Sequence, residues 1–362
     1  KEIHAVSIVT PNHWHALATI WACQAGKHVY IEKPACHNIF EGRKMVEASR
    51  KYNVLVQVGH NNRSSKNVRE AIKFLHDGGI GEIYMARGLC FKARDSYGYA
   101  KDSTPPASFH YERWLGPAQW RPYNEKRSHY SWHWYWDTGN GDTGNQGPHQ
   151  FDIARWGLNK LEHPVSVCST GGIYGFRKDE STPENQVKGT MVYGDVETYG
   201  NSKTSQETPN IQTAAFRYED GTLLEFETRG RYTNQEGKIG VEVGNIFYGS
   251  EGYLEINGDT WSAFRRRERE PFAGSKPVEG NDGGNHFANF LESLRAGKRE
   301  MLNCEINEGF YSASLVHLAN ISYRLDRKLK FMSEYENFAN DPEADLMLTR
   351  DYRPPYVVPE VV

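Results

Sequence analysis

The chain has 362 residues, 38% hydrophobic and 25% charged, which describes a globular protein with room for two domains and excludes a disordered one. Its net charge of -3 offers no basic surface for nucleic acid or an anionic membrane, and no apolar run approaches the roughly 18 residues of a membrane span. The 5 cysteines, Cys23, Cys36, Cys90, Cys168 and Cys304, are odd in number, widely spaced and without any C-x-x-C, so they read as free thiols and not as a disulfide framework or a zinc site.

In chain order, residues 4–10 are β-rich and end at Pro11-Asn12, which reads as a strand and a turn. A helix follows over 14–24, closed by Gly26, then a strand at 28–32, a helix at 40–52, a strand at 54–59 and a helix at 67–76. Strands alternating with helices indicate βαβ units and a parallel sheet. Residues 82–94 read as a further strand, and 95–148 as a long aromatic, Gly-rich stretch of the kind that carries function. A helix starts near Pro148. Strands follow at 165–173, 187–193, 211–218, 222–229, 241–248 and 252–257, separated by turns such as Glu219-Asp220-Gly221. Helices with apolar faces occupy 287–294 and 307–325, and a polar, then Pro-rich tail closes the chain. The fold class is α/β: a partial doubly wound (Rossmann) parallel sheet at 1–81, an α/β domain with a large open, mainly antiparallel sheet at 82–332, and a tail at 333–362.

In doubly wound folds ligands bind at the carboxyl ends of the strands. Thr10-Pro11-Asn12-His13-Trp14-His15 ends the first strand, where Asn12 could cap the next helix. Glu32-Lys33-Pro34 ends the second, so the Lys33 ammonium can hold a hydroxyl or alkoxide oxygen. No G-x-G-x-x-G turn follows either strand. The one formal match, Gly139 to Gly144, lacks the strand that such a phosphate loop needs. His149 opens a helix and Asp152 lies one turn on, on the same face; a histidine there suits proton transfer with a hydroxyl. The aromatic run that includes Tyr130, Trp132, His133, Trp136 and Asp137 offers rings for sugar faces and polar groups for hydroxyls. Two histidine pairs, His13/His15 and His129/His133, lack a third ligand, so no metal is expected.

Together these motifs resemble the Gfo/Idh/MocA family, glucose–fructose oxidoreductase, inositol dehydrogenase and their relatives. The matching pieces are Thr10 to His15, Glu32-Lys33-Pro34, the glycine-rich helix start from Gly141 to Asp152, and His286-Phe-Ala-Asn-Phe, Glu308-Gly309 and His317-Leu-Ala-Asn320 further on. The resemblance implies an NAD(P)-dependent oxidoreductase acting on a hydroxyl of a sugar or related polyol. It makes Lys33 and His149 the catalytic pair, places Thr10, Pro11, Asn12, His15, Glu32 and Lys33 at the cofactor, and leaves Tyr130, Trp132, His133, Trp136, Asp137, Asn145 and Asp152 for the substrate. Two rival readings remain: a glycosidase or lyase working through transient NAD-dependent sugar oxidation, and a non-catalytic sugar-binding homologue.

The family pattern puts an aspartate four residues before the histidine, where this chain has Asn145. The resemblance also implies an upstream βαβ unit bearing the glycine fingerprint and the acidic residue that chooses between NAD and NADP. The chain begins at Lys1 without it, so NAD or NADP is expected to bind weakly or not at all to this chain alone. A homo-oligomer is expected from the open sheet, and the compartment stays open between cytoplasm and, behind an upstream signal, periplasm.

Overall fold

The computed structural model describes residues 3–175, 177–178, 203–258, 260–275 and 285–362. The strand read at 187–193 lies outside them.

A three-stranded parallel sheet in the order β1 (Ala5–Ile8), β2 (His28–Ile31), β3 (Val56–Val58) forms first, with α1 (His15–Gln24), α2 (Ile39–Lys51) and α3 (Lys66–His76) as its helices. The Asn38 side chain accepts the Glu41 amide at the start of α2, and Ser65 accepts the Val68 amide at the start of α3, which is why those helices begin where they do. Asn12 does not act as a cap; it opens a single 3-10 turn and its amide nitrogen is left without a partner.

β4 (Ile83–Cys90) enters a second sheet. The segment behind it is irregular, with a short α4 (Tyr111–Leu115), a 3-10 turn over Ser131–Trp134, α5 (Gly141–Asn145) and α6 (Gly147–Gly157). Then come β5 (Ser166–Gly172), the two-residue pair β6 (Arg177–Lys178) and β7 (Lys203–Thr204), β8 (Ile211–Arg217), β9 (Leu223–Arg229), β10 (Val243–Gly249), β11 (Gly252–Asn257), β12 (Thr260–Arg265) and β13 (Ala273–Gly274). After α7 (His286–Ala296) and α8 (Ile306–Leu325), β14 (Leu329–Met332) and β15 (Asn337–Phe338) rejoin the sheet and α9 (Pro342–Asp345) follows. The 10-stranded order is β13-β12-β11-β10-β4-β9-β8-β5-β14-β15. Every described pairing in it is antiparallel except β4 with β9. β8 and β9 alternate buried and exposed side chains, the period-2 pattern of a sheet covered on one face.

Helices α6 and α8 cover that face. Gly88 on β4 leaves room for the α6 backbone, since a Cβ there would meet Gln150. α8 is buried almost all round and joins the two sheets: Gly309 sits where a side chain would strike Val58 of β3, while Ser322 Oγ accepts the Ser169 amide of β5 at 2.9 Å. The outer edge of β3 is closed by the segment before α8, through Val58 N–H to Cys304 O at 2.9 Å, and by the start of α7, whose His286 carbonyl accepts Gln57 Nε2 at 2.8 Å. The crevice at the carboxyl ends of β1, β2 and β3 therefore faces the start of α6.

Candidate active site

Lys33 follows β2 and reaches across the crevice. Its ammonium donates to the Asn145 carbonyl at 2.7 Å and to Asn145 Oδ1 at 3.2 Å. Burial pulls its pKa below the usual lysine value; Glu32 opposes this, while Lys92 and Arg94 add to it. Two of its protons are spent on Asn145, and the third is free for a ligand oxygen.

His149 stands in the first turn of α6, half-buried, and its ring makes no hydrogen bond to any described residue. Burial holds its pKa well below the ordinary histidine value, and the Lys33 ammonium is the next largest cause, ahead of His60. Lys33 and His149 thus lie within electrostatic reach of each other, a neutral imidazole near a cation. The charges facing them are Lys92, bonded through Nζ to Gln146 Oε1 at 2.7 Å, and Arg94, paired with Asp142 at 3.0 Å.

The substrate candidates divide. Trp132 stacks on His133 with ring centroids 3.6 Å apart, and His133 Nδ1 faces the Tyr130 carbonyl at 2.6 Å. The His133 pKa is lowered to about 4, by burial first and then by Lys33 and Arg94 against the Tyr130 carbonyl, which places these three residues on the Lys33 side. Trp136 and Asp137 go elsewhere. They line a cavity of about 290 Å³ with His317, Asn320, Arg324 and Arg350, and neither Lys33 nor His149 borders it. Arg324 covers the Trp136 ring at 5.1 Å, and Asp137 pairs with Arg121 at 2.7 Å. The turn over Ser131–Trp134 gives way to extended backbone at Tyr135, which sends the second half of the run to the other side.

Asp152 is also not on the substrate surface. It is 1% exposed, receives Arg63 at 2.8 and 3.0 Å and Ser312 Oγ at 2.7 Å, and so cannot also meet a ligand. Burial pushes its carboxyl up, but Arg63, His60 and Arg155 outweigh that and hold it well below the usual carboxylate range. His60, Asp152 and Cys304 bring ligand-type atoms within 4.8 Å of one another, yet a cation among them would have to displace the Arg63 guanidinium from Asp152.

On the cofactor side, Thr10 and Asn12 lie just after β1 and Glu32 just after β2. His15 lies beneath them, 1% exposed, with its nitrogens 2.8 Å from the Thr10 carbonyl and 2.7 Å from the Pro34 carbonyl. It ties the two strand ends together and does not line the crevice. The orphaned Asn12 Nδ2, the Lys33 ammonium and the Glu32 carboxylate suit the carboxamide and ribose of a nicotinamide nucleotide. The Thr10-Pro11-Asn12 turn offers no glycine for close approach to a pyrophosphate.

His60, Lys92, Arg94 and Tyr97 escaped the sequence reading. For His60 the available signal was position, just past the carboxyl end of β3 in the parallel sheet, where ligands bind; Lys92, Arg94 and Tyr97 follow β4 of the second sheet, where no such rule points to them. Tyr97 stacks on Trp134 at 4.0 Å beside Arg94.

A family model described as an oxidoreductase family with an NAD-binding Rossmann fold matches residues 1–60, and its C-terminal alpha/beta domain counterpart matches 92–171 and 216–358. The chain belongs to the Gfo/Idh/MocA oxidoreductase family. Levoglucosan dehydrogenase of Pseudarthrobacter phenanthrenivorans is 28% identical over 169 residues, which is 47% of this chain and 36% of that protein. Myo-inositol 2-dehydrogenase of Thermotoga maritima is 28% identical over 85 residues, 24% of this chain and 25% of its own length. The matches thus span about a third or less of these Gfo/Idh/MocA relatives. Among solved structures, levoglucosan dehydrogenase in complex with NADH and levoglucosan aligns with TM-score 0.63 at 19% identity, over 91% of this chain and 80% of that one. Aldose-aldose oxidoreductase from Caulobacter crescentus, complexed with glycerol, aligns with TM-score 0.62 at 17% identity, over 91% and 79%. These two share the Gfo/Idh/MocA fold with this chain. Among the described residues no helix is long and apolar enough to cross a membrane.

Proposed function

We propose that this protein serves an NAD(P)-dependent oxidation or reduction of a hydroxyl-bearing carbon in a sugar or polyol, with Lys33 and His149 as its catalytic residues. The observation that carries the reading is the meeting of Lys33, Asn145 and His149 in one crevice at the strand ends. A bound nicotinamide would supply the hydride acceptor. The neutral His149 ring accepts the proton of the substrate hydroxyl. The free Lys33 proton donates to the same oxygen, so negative charge growing there meets a fixed cation whose other bonds are already made. Tyr130, Trp132 and His133 give the sugar ring a flat wall.

Thr10, Pro11, Asn12, Glu32 and Lys33 hold the nicotinamide end, while the Thr10-Pro11-Asn12 turn offers the pyrophosphate no glycine. The family placement and the sugar- and inositol-directed names of the relatives support the substrate class. The sheet face turned away from α6 and α8 carries a network of Arg87, Glu225, Glu227, Arg229 and Glu236 beside the exposed Leu223, a surface suited to a second copy of the chain. The test is turnover of a panel of sugars and inositols with NAD and NADP by the wild type, Lys33→Met and His149→Ala. Loss of at least about a hundredfold in kcat is expected for each variant, and retained turnover in both would remove the assignment.

A further inference from the structure

His60 is a buried titratable group that the proposed reaction leaves unused. It follows β3, is 1% exposed, and both ring nitrogens lack a hydrogen-bond partner. Leaving a buried polar atom without a partner destabilises a fold, so an imidazole kept in this state calls for a reason. Its ring stands edge-on to His149, with centroids 6.3 Å apart and planes at 83°. On its other side Nδ1 lies 3.9 Å from Asp152 Oδ2, and about 1 Å of movement would make that a hydrogen bond.

Position 145 explains the need. An imidazolium formed at His149 wants an anion, and the Asn145 amide offers none, its Oδ1 being taken by Lys33. Among the groups that act most strongly on His149, Asp152 is the carboxylate, and it favours the protonated form. His60 lies against both. We infer that His60 is a positioning residue that links His149 to the Asp152 carboxylate, in place of an acid at position 145. This deepens the proposed function and rests on it. As His149 takes the substrate proton, the N–H on the far side of its ring donates to His60 Nε2, and His60 Nδ1–H points to Asp152. Only one proton moves, from the substrate oxygen to His149. No proton is lost from His60, and the new charge is spread toward a carboxylate that Arg63 and Ser312 hold in place.

The pair is faced by Lys33 and Lys92 from the ends of β2 and β4, Arg63 from the turn after β3, Asp152 and Arg155 from α6, and His286 from the start of α7. Cys304 and Glu308 face Asp152 and Arg63 from the start of α8. Burial lowers the His60 pKa to about 4 despite Asp152, so the ring is neutral at working pH and can both donate and accept. If His60 acted only as a neighbouring potential cation, removing it would leave the His149 pKa where it is or raise it. The proposed link has the opposite sign.

The experiment is NMR titration of the His149 ring in wild type, His60→Phe and His60→Gln, with neither sugar nor nicotinamide present. His60→Phe is expected to lower the His149 pKa by about one unit, a tenfold drop in its affinity for a proton, and His60→Gln to restore part of it. An unchanged or raised pKa in His60→Phe overturns the link. His60→Phe replaces an unsatisfied ring by an apolar one of similar shape, so it is expected to fold. Should it not, the ring ¹⁵N shifts of wild-type His60 decide: the Nδ1–H tautomer is required, and Nε2–H overturns the link. Because no turnover is measured, failure of the proposed reaction would show separately in the activity of Lys33→Met and His149→Ala.

Discussion

Replacing Asn145 with Asp tests how the crevice sets the charge of Lys33. The amide oxygen lies 3.2 Å from the ammonium. A full negative charge at that distance is worth about 5 kcal/mol in an effective dielectric of about 20. Lys33 is only partly buried, and the new carboxylate must itself be desolvated, so the net effect is a rise of about one to three pKa units. The sign follows from the charges: an anion stabilises the ammonium, so its proton is held to higher pH. In the wild type, burial and the nearby Lys92 and Arg94 already depress that pKa, and the alkaline limb of kcat/KM should fall at a lower pH than a free lysine would give. Asn145→Asp should move the alkaline limb up by one unit or more. The same shift should appear in the ¹³C-methyl titration of reductively methylated Lys33, which needs no substrate. A limb and a resonance that stay put, or move down, would refute the claim that Asn145 governs Lys33.

Further outcomes follow from other contacts. Glu336 bonds His163 and Arg43, and its pKa is lowered to about 2, their pull outweighing burial. A depressed carboxyl stabilises the fold above its unfolded value and loses that as pH falls toward 2, so Glu336→Gln should cost about 2 kcal/mol at pH 7 and almost nothing near pH 2, read by urea unfolding. Trp136→Ala should leave KM for the preferred sugar within about twofold while Trp132→Ala raises it several-fold, because only Trp132 lies with His133 beside Lys33; equal effects would place the sugar in the other cavity. Isothermal titration should find NAD(H) affinity of this chain weaker than micromolar, since the turn after β1 has no glycine for the pyrophosphate, and micromolar binding would contradict that.

Much of this arrangement was legible because it is local. The β-rich runs, the turn after Thr10, the lysine ending β2 and the histidine opening α6 are all set within a few residues, and the structure puts them close to where the sequence reading does. β12, β13, β14 and β15 were not read, being short or mixed in polarity and held by partners far along the chain. The same limit applied at the site. Asp152 follows His149 by one turn on the same face and reads as a substrate contact, but its fate is decided by Arg63, 89 residues away, and by Ser312, 160 residues away. The run from Tyr130 to Asp137 reads as one sugar wall because composition does not show that the chain turns between Trp134 and Trp136. His60 carries no local motif at all, and its meaning comes only from lying between two residues of α6.

The central claim is that Lys33 and His149 occupy one pocket, and the most direct measurement is the pKa of His149 in the Lys33→Met protein. With the cation gone, the imidazole should gain a proton more readily, and its pKa should rise by about half a unit or more. A His149 titration curve indifferent to the loss of Lys33 would put the two side chains beyond each other's reach and leave the proposed chemistry without a site.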